Sequence, residues 1–156
     1  RMDAAALDAL FAGLEPGPLP DGEAVGVANS DPGSGYGAFT RGFFRGLWQG
    51  KVFDREKGTL TNRTVFGTTG SAKVYLSTSR ADGKPVIIID YAKSDNLLAR
   101  GVRDEVRMVA PGLYLGVAYL KFPPGVGKFQ KWIYFSLDFR VPPASPVSEE
   151  PSTQAP

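Results

Sequence analysis

The sequence predicts a mainly β protein, an antiparallel up-and-down β-barrel of about eight strands with a short amino-terminal helix. Three observations carry that expectation. From residue 47 onward apolar side chains recur mostly with a period of two, the spacing of a strand that buries one face. The strand-like segments are divided by short turn signals, among them Glu56-Lys57-Gly58, Ala81-Asp82-Gly83 and Ala110-Pro111-Gly112. Each strand and its turn take about 10 to 14 residues, and consecutive short hairpins of that kind favour a closed barrel over a two-layer sandwich.

The first element is a helix. Asp3 is placed to cap it, and Leu7, Leu10, Phe11 and Leu14 form one apolar stripe at i, i+3, i+4 and i+7. Gly13 and the prolines at 16, 18 and 20 stop it. Residues 22–28 read as a short strand, followed by a Gly, Ser, Asp and Pro-rich loop through Gly37. The segment AFTRGFFRGLW fits a helical face or an irregular lead-in equally. Strands are then expected at 47–54, 59–66, 71–79, 84–92, 103–110, 113–122 and 129–139. The longer connection SDNLLARG, residues 94–101, reads as a helical turn. In the last strand Phe129, Ile133, Phe135, Leu137 and Phe139 share one face while Trp132 and Tyr134 occupy the other, so a covering element is needed, and the amino-terminal helix is the candidate. Residues 1–140 form the domain; residues 141–156, rich in Pro and Ser, read as a disordered tail.

Composition narrows the chemistry. A chain of 156 residues with 42% hydrophobic and 22% charged content fits one globular domain. Its formal charge of +2 comes from interspersed charges, which argues against nucleic acid as a partner. With no Cys and no His, thiolate nucleophiles, the Ser-His-Asp arrangement and imidazole or thiolate metal sites are all excluded. Catalysis, if any, falls to carboxylates, Tyr, Lys or Arg. No metal and no cofactor are expected. No apolar run approaches the roughly 18 to 20 residues of a membrane helix, and no leader pattern opens the chain. Met2 reads as a natural start, which favours a cytoplasmic over a secreted or periplasmic protein.

The hairpin VRDEVRMVAPGLYLGVAYLKF, residues 102–122, poses the central question. Arg103, Glu105 and Arg107 share a face that must meet either water or a cavity. Facing a cavity, Arg103 or Arg107 would hold a ligand carboxylate through a charge-assisted bond, with Tyr91 or Tyr119 donating a hydroxyl. Facing water, the row is a set of weak surface pairs. Asp104 lies instead on the face of Val102 and Val106, where a lone carboxylate needs a partner or takes a raised pKa. Asp90 raises the same question at the end of Val86-Ile87-Ile88-Ile89, a run apolar on both faces. Two inward carboxylates with Tyr91 would suit proton-transfer catalysis such as isomerisation, cyclisation or decarboxylation. Lys51, in WQGKVFD, is either an exposed strand lysine or a desolvated amine fit for Schiff-base chemistry. Arg63, in LTNRTVFG, has a similar standing, with Asn62 on the opposite face. The glycines at 33, 35 and 37 lack a phosphate-loop context. Arg41 and Arg45 among Phe43, Phe44, Leu47 and Trp48 would suit a membrane surface, a lipid at the barrel mouth or plain core packing.

Gly46-Leu47-Trp48 before the first clear strand, and Asp90-Tyr91 after a strong strand, resemble the Gly-x-Trp and Thr-Asp-Tyr patterns of lipocalins, with Ile89 in place of the Thr. The resemblance spans residues 40–140 and implies a calycin barrel, closed at one end by its lead-in helix, with Arg140 packed over Trp48. It implies carriage of a fatty acid or other lipid-like molecule, with Trp48, Phe53, Tyr91, Tyr114 and Tyr119 as pocket walls. WQGKVFD and RDEVRMVAPGLYLG also resemble segments of bacterial proteins, a likeness that implies no activity. The expected function is thus binding of a small hydrophobic or amphipathic ligand. The alternatives are a cofactor-independent barrel enzyme or a filled, non-catalytic interaction module.

Overall fold

The computed structural model describes residues 2–29, 47–122 and 126–143. Helix α1, Ala4–Ala12, begins where the Asp3 carboxylate accepts from the Ala6 amide at 2.8 Å. Eight strands follow: β1 Gly22–Ala28, β2 Trp48–Asp54, β3 Thr59–Thr64, β4 Gly67–Thr78, β5 Pro85–Asp90, β6 Val102–Ala110, β7 Leu113–Phe122 and β8 Lys128–Asp138. A 3-10 turn, Leu97–Gly101, leads into β6 where a helical turn was expected. Each strand pairs antiparallel with the next, and β1 pairs with β8, so the sheet closes in simple up-and-down order.

The barrel buries two separate apolar layers. Its interior holds Phe53, Leu60, Val74, Ile87, Ile89, Val106, Tyr114, Ile133, Phe135 and Leu137 with Trp48 and Tyr91. A second layer lies outside the sheet, where Leu7 and Phe11 of α1 pack on Val86, Ile88, Leu115, Val117, Tyr119 and Tyr134. The run Val86-Ile87-Ile88-Ile89 is apolar on both faces because it separates these layers, and all four residues are fully buried. The helix therefore covers the wall, β8 included, with the Phe11 and Tyr134 rings 6.3 Å apart.

The lead-in before Trp48, expected to close one end, lies outside the described residues; the connection after α1 crosses one end. Leu19 packs on the interior cluster, the Tyr114 hydroxyl donates to the Pro18 carbonyl at 2.8 Å, and the Met108 amide donates to the Glu15 carbonyl at 2.9 Å. Residues 13–21 thus cross the end that bears the β2–β3, β4–β5 and β6–β7 turns. The opposite end carries the β1–β2, β3–β4, β5–β6 and β7–β8 connections.

Among the described residues four register shifts break the period of two, one of them between Met108 and Ala110 beside the β6–β7 turn. In β2 the pairing shifts between Trp48 and Gly50, with Gly50 at φ 147°; a Cβ there would overlap the Ala24 carbonyl oxygen. In β4, Gly70 at φ 70° marks a shift against β3. This strand starts at Gly67, not 71, because Val65 and Phe66 alone make the turn, with Thr64 Oγ1 donating to the Gly67 carbonyl at 3.0 Å. In β8 the shift at Trp132 leaves Phe129 in the outer layer while Ile133 points in, separating two residues that plain alternation placed together. Arg140 pairs with Asp138 at 2.9 Å beside Gly112, at the crossed end, so it does not pack over Trp48. The segment holding Arg41, Phe43, Phe44 and Arg45, and the tail from residue 144, lie outside the described residues.

Candidate functional site: a caged lysine inside the barrel

Four polar side chains meet within the otherwise apolar interior: Lys51 from β2, Asn62 from β3, Asp104 from β6 and Tyr91, one residue beyond β5. The register explains why. Lys51 pairs with Asn62, and Ile89 with Asp104, so each sits at an inward position. Tyr91 continues the inward parity of Ile87 and Ile89. Trp48 lies three residues before Lys51, and regular alternation would point them to opposite faces; the Gly50 bulge turns both inward.

The Lys51 ammonium has three donors and finds three acceptors. It donates to Asn62 Oδ1 at 2.9 Å and to the Tyr91 hydroxyl, and lies 3.2 Å from Asp104 Oδ2. Asn62 is held in turn, with its Nδ2 donating to the Gly70 carbonyl at 3.2 Å and to the Tyr91 oxygen at 3.0 Å. The Trp48 indole N–H reaches Asn62 Oδ1 at 3.2 Å. The Gly70 bulge thus supplies the carbonyl that orients the amide. Around the ammonium stand the rings of Trp48, Tyr91 and Phe135, at 5.6, 5.1 and 5.4 Å. Lys51 is 5% exposed and Asp104 2%.

Burial pushes the Asp104 carboxyl above its usual range, against the pull of the Lys51 ammonium. Burial also opposes the charge on Lys51, but Tyr91 and Asp104 outweigh it and hold the ammonium's pKa above that of a free lysine. The Tyr91 hydroxyl is raised by burial, the Asp104 charge adding to it. Three acceptors around one nitrogen fit the protonated amine, not the neutral nucleophile that Schiff-base formation needs. The cluster can present a charged hydrogen-bonding centre to a guest, or pass a proton among Asp104, Lys51 and Tyr91.

Of the expected site residues, the structure brings Trp48, Lys51, Phe53, Tyr91, Asp104 and Tyr114 into the interior. Phe53 and Tyr114 lie toward the crossed end, their rings 5.6 and 5.7 Å from Phe139. Arg103, Glu105, Arg107 and Tyr119 are outside the barrel, which corrects their placement as anion anchor and pocket wall. Their outward face meets neither water nor a cavity alone, because α1 and the β4–β5 turn cover it. Arg107, fully buried, forms a two-pronged pair with Asp82 at 2.8 Å and donates to the Phe11 carbonyl at 3.0 Å. Glu105 accepts from the Ser79 hydroxyl at 2.6 Å and from the Arg80 amide at 2.9 Å. Tyr119 lies in the outer layer, and Arg103 is beside it in register, opposite Asp90. Asp90 is likewise outward, accepting from the Tyr75 hydroxyl at 3.0 Å and the Ala92 amide at 2.9 Å, so it joins no inward carboxylate pair. Arg63 faces outward and pairs with Glu23 at 3.1 Å. A groove of about 220 Å³ on this outer wall, lined by Thr59, Ser71, Lys73, Asp90 and Lys93, is separate from the caged lysine.

Asn62 is the member to which the sequence assigned no role. The signal was present: in TLTNRT the amide shares the parity of Leu60, an inward position. Comparison with known proteins finds no matching family model, no matching curated protein and no matching solved structure.

Proposed function

We propose that this barrel binds a small amphipathic molecule whose polar group meets the Lys51, Asn62, Tyr91 and Asp104 cluster and whose apolar part lies against Trp48 and the neighbouring inner wall. One observation carries this reading: a charged amine sits inside an aromatic cage in a core that packs without it everywhere else. A buried ion pair adds little net stability over apolar residues of similar size, so folding alone does not call for it. Convergent polar groups of perturbed pKa in an apolar surround are what a ligand site requires. The anchor is an ammonium, not the arginines of β6. Residues 13–21 cross one end, and the reading places the guest's way in at the other, toward Trp48.

The test is native mass spectrometry of protein purified from cells, with mass analysis of any extracted molecule, followed by titration of fluorescent fatty-acid and fatty-alcohol probes. Wild type is expected to bind, and Lys51→Met with Asp104→Leu to lose binding while staying folded. Binding unchanged in that double variant, or no probe bound by wild type, overturns the reading.

A second reading, proton-transfer catalysis, is favoured by the direct contact of Lys51 with both Asp104 and Tyr91. It requires a ligand with an acidic C–H bond to exchange that hydrogen in deuterated water on the wild type but not on Asp104→Asn.

A further inference from the structure

The end of the barrel opposite residues 13–21 carries a set of exposed apolar side chains. Phe66 in the β3–β4 turn is 87% exposed, Leu97 and Leu98 in the 3-10 turn 70% and 92%, and Val126 before β8 86%. They stand on three connections that follow one another around the rim. The β5–β6 connection is tied to the start of β4 by Asp95, which accepts from the Ser71 amide at 2.6 Å, and Gly101 lies against the end of β7 at Leu120 and Lys121. Lone exposed apolar residues are ordinary, but several of them on successive connections of one end mark a contact surface.

Charge indicates what the surface meets. Lys93, Arg100, Lys121 and Lys128 flank the apolar group, and Asp95, already held by Ser71, is the acidic side chain in the described parts of these connections. The crossed end differs in carrying both signs: Glu15, Asp21, Asp54, Glu56, Asp82 and Asp138 stand among Arg55, Lys57, Arg80, Lys84 and Arg140, and Asp54 and Asp138 pair with Lys57 and Arg140. The wall between carries Glu23, Arg63, Lys73, Asp90 and Lys131 facing outward while the interior is apolar apart from the Lys51 cluster, the reverse of a barrel that spans lipid.

We propose that this end docks on an anionic lipid surface, with Phe66, Leu97, Leu98 and Val126 inserted at the headgroup boundary and the flanking cations paired with lipid phosphates. Separate apolar tips among cations suit a fluid, negatively charged boundary better than a flat protein face. Docking there turns the Trp48 side of the barrel toward the lipid, yet it needs no guest inside, so its failure leaves the Lys51 reading intact.

The experiment is co-sedimentation of the full chain with vesicles of phosphatidylglycerol and phosphatidylcholine, and with phosphatidylcholine alone. Binding is expected to the first, to weaken with salt, and to fall roughly tenfold for Phe66→Ser with Leu98→Ser and for Lys93→Glu with Lys128→Glu. These side chains make few buried contacts, so melting temperatures should match wild type. Three results overturn the proposal: no binding of wild type, equal binding to both vesicle types, or no loss in the Phe66 and Leu98 variant. Self-association that disappears in that variant without any vesicle binding also overturns it, in favour of a second copy as the partner.

Discussion

Lys51 shows how a buried charge is tolerated. Removing it alone leaves Asp104 desolvated and unpaired, whereas removing both leaves an apolar interior of similar volume. Lys51→Met is therefore expected to cost about 3 to 5 kcal/mol at neutral pH, and Lys51→Met with Asp104→Leu to be near neutral or stabilising. Urea denaturation of the two variants checks this; equal destabilisation would show that Asn62 and Tyr91, not the ion pair, hold the interior together. Asp104 was legible as the odd residue of VRDEVRM because its parity matched Val102 and Val106. Its partner was not. Lys51 follows a bulge, and a register shift leaves no mark in a period-two pattern beyond a glycine that could equally be a turn. Arg103 and Arg107 misled for a related reason: alternation tells which face a side chain takes, but not what lies over that face.

Helix α1 is what lies over it. Its stripe was readable at Leu7, Leu10, Phe11 and Leu14, and β5 and β8 announced a covering element by being apolar on both sides. The sequence joined the helix to β8; carrying it on over β6 would have placed Arg107 beneath it, where the Phe11 ring stands 4.7 Å from the guanidinium and the Phe11 carbonyl accepts from it. Asp82 completes the arrangement, and its bond from Arg107 holds the carboxyl far below the usual range. Phe11→Ala removes a ring buried against the wall and lets water reach that pair. The expected loss is about 3 to 5 kcal/mol, read as a lower urea midpoint. A loss below about 1 kcal/mol, the range of ordinary surface changes, would mean that the helix is not part of the cooperative fold.

For the molecule as a whole, the buried hydroxyls and the caged amine set the alkaline limit. Burial pushes Tyr119 up to about 12 and raises Tyr91 and Tyr134 as well, so the native protein keeps protons that an unfolded chain loses near pH 10. Lys51, also raised, contributes stability that is complete below about pH 10.4 and lost as pH rises through its higher native value. All four act in one direction: the native state binds more protons, and stability falls as pH climbs from about 10. Urea midpoints between pH 8 and 12 should drop accordingly, with the tyrosinate absorbance of Tyr91, Tyr119 and Tyr134 rising only as the sheet is lost. Free titration of Tyr91, Tyr119 and Tyr134 near pH 10 in a folded protein would contradict this. Fold class, strand order and the turns other than β3–β4 were open to sequence reading because they rest on local signals. The interior chemistry depends on cross-strand register, which no single segment encodes.

The link that closes the ring is β1. Its first half pairs with β2 through Gly22 to Val25 and its second half with β8 through Val25 to Ala28, so Val25 alone faces both neighbours. Every other pairing joins strands adjacent along the chain, but the β1–β8 seam links the first to the last and carries the largest loop-closure entropy. Circularisation is therefore the late step of assembly. Until it happens the chain is a curled ribbon with two bare margins, and each bare margin is a template on which another copy can polymerise.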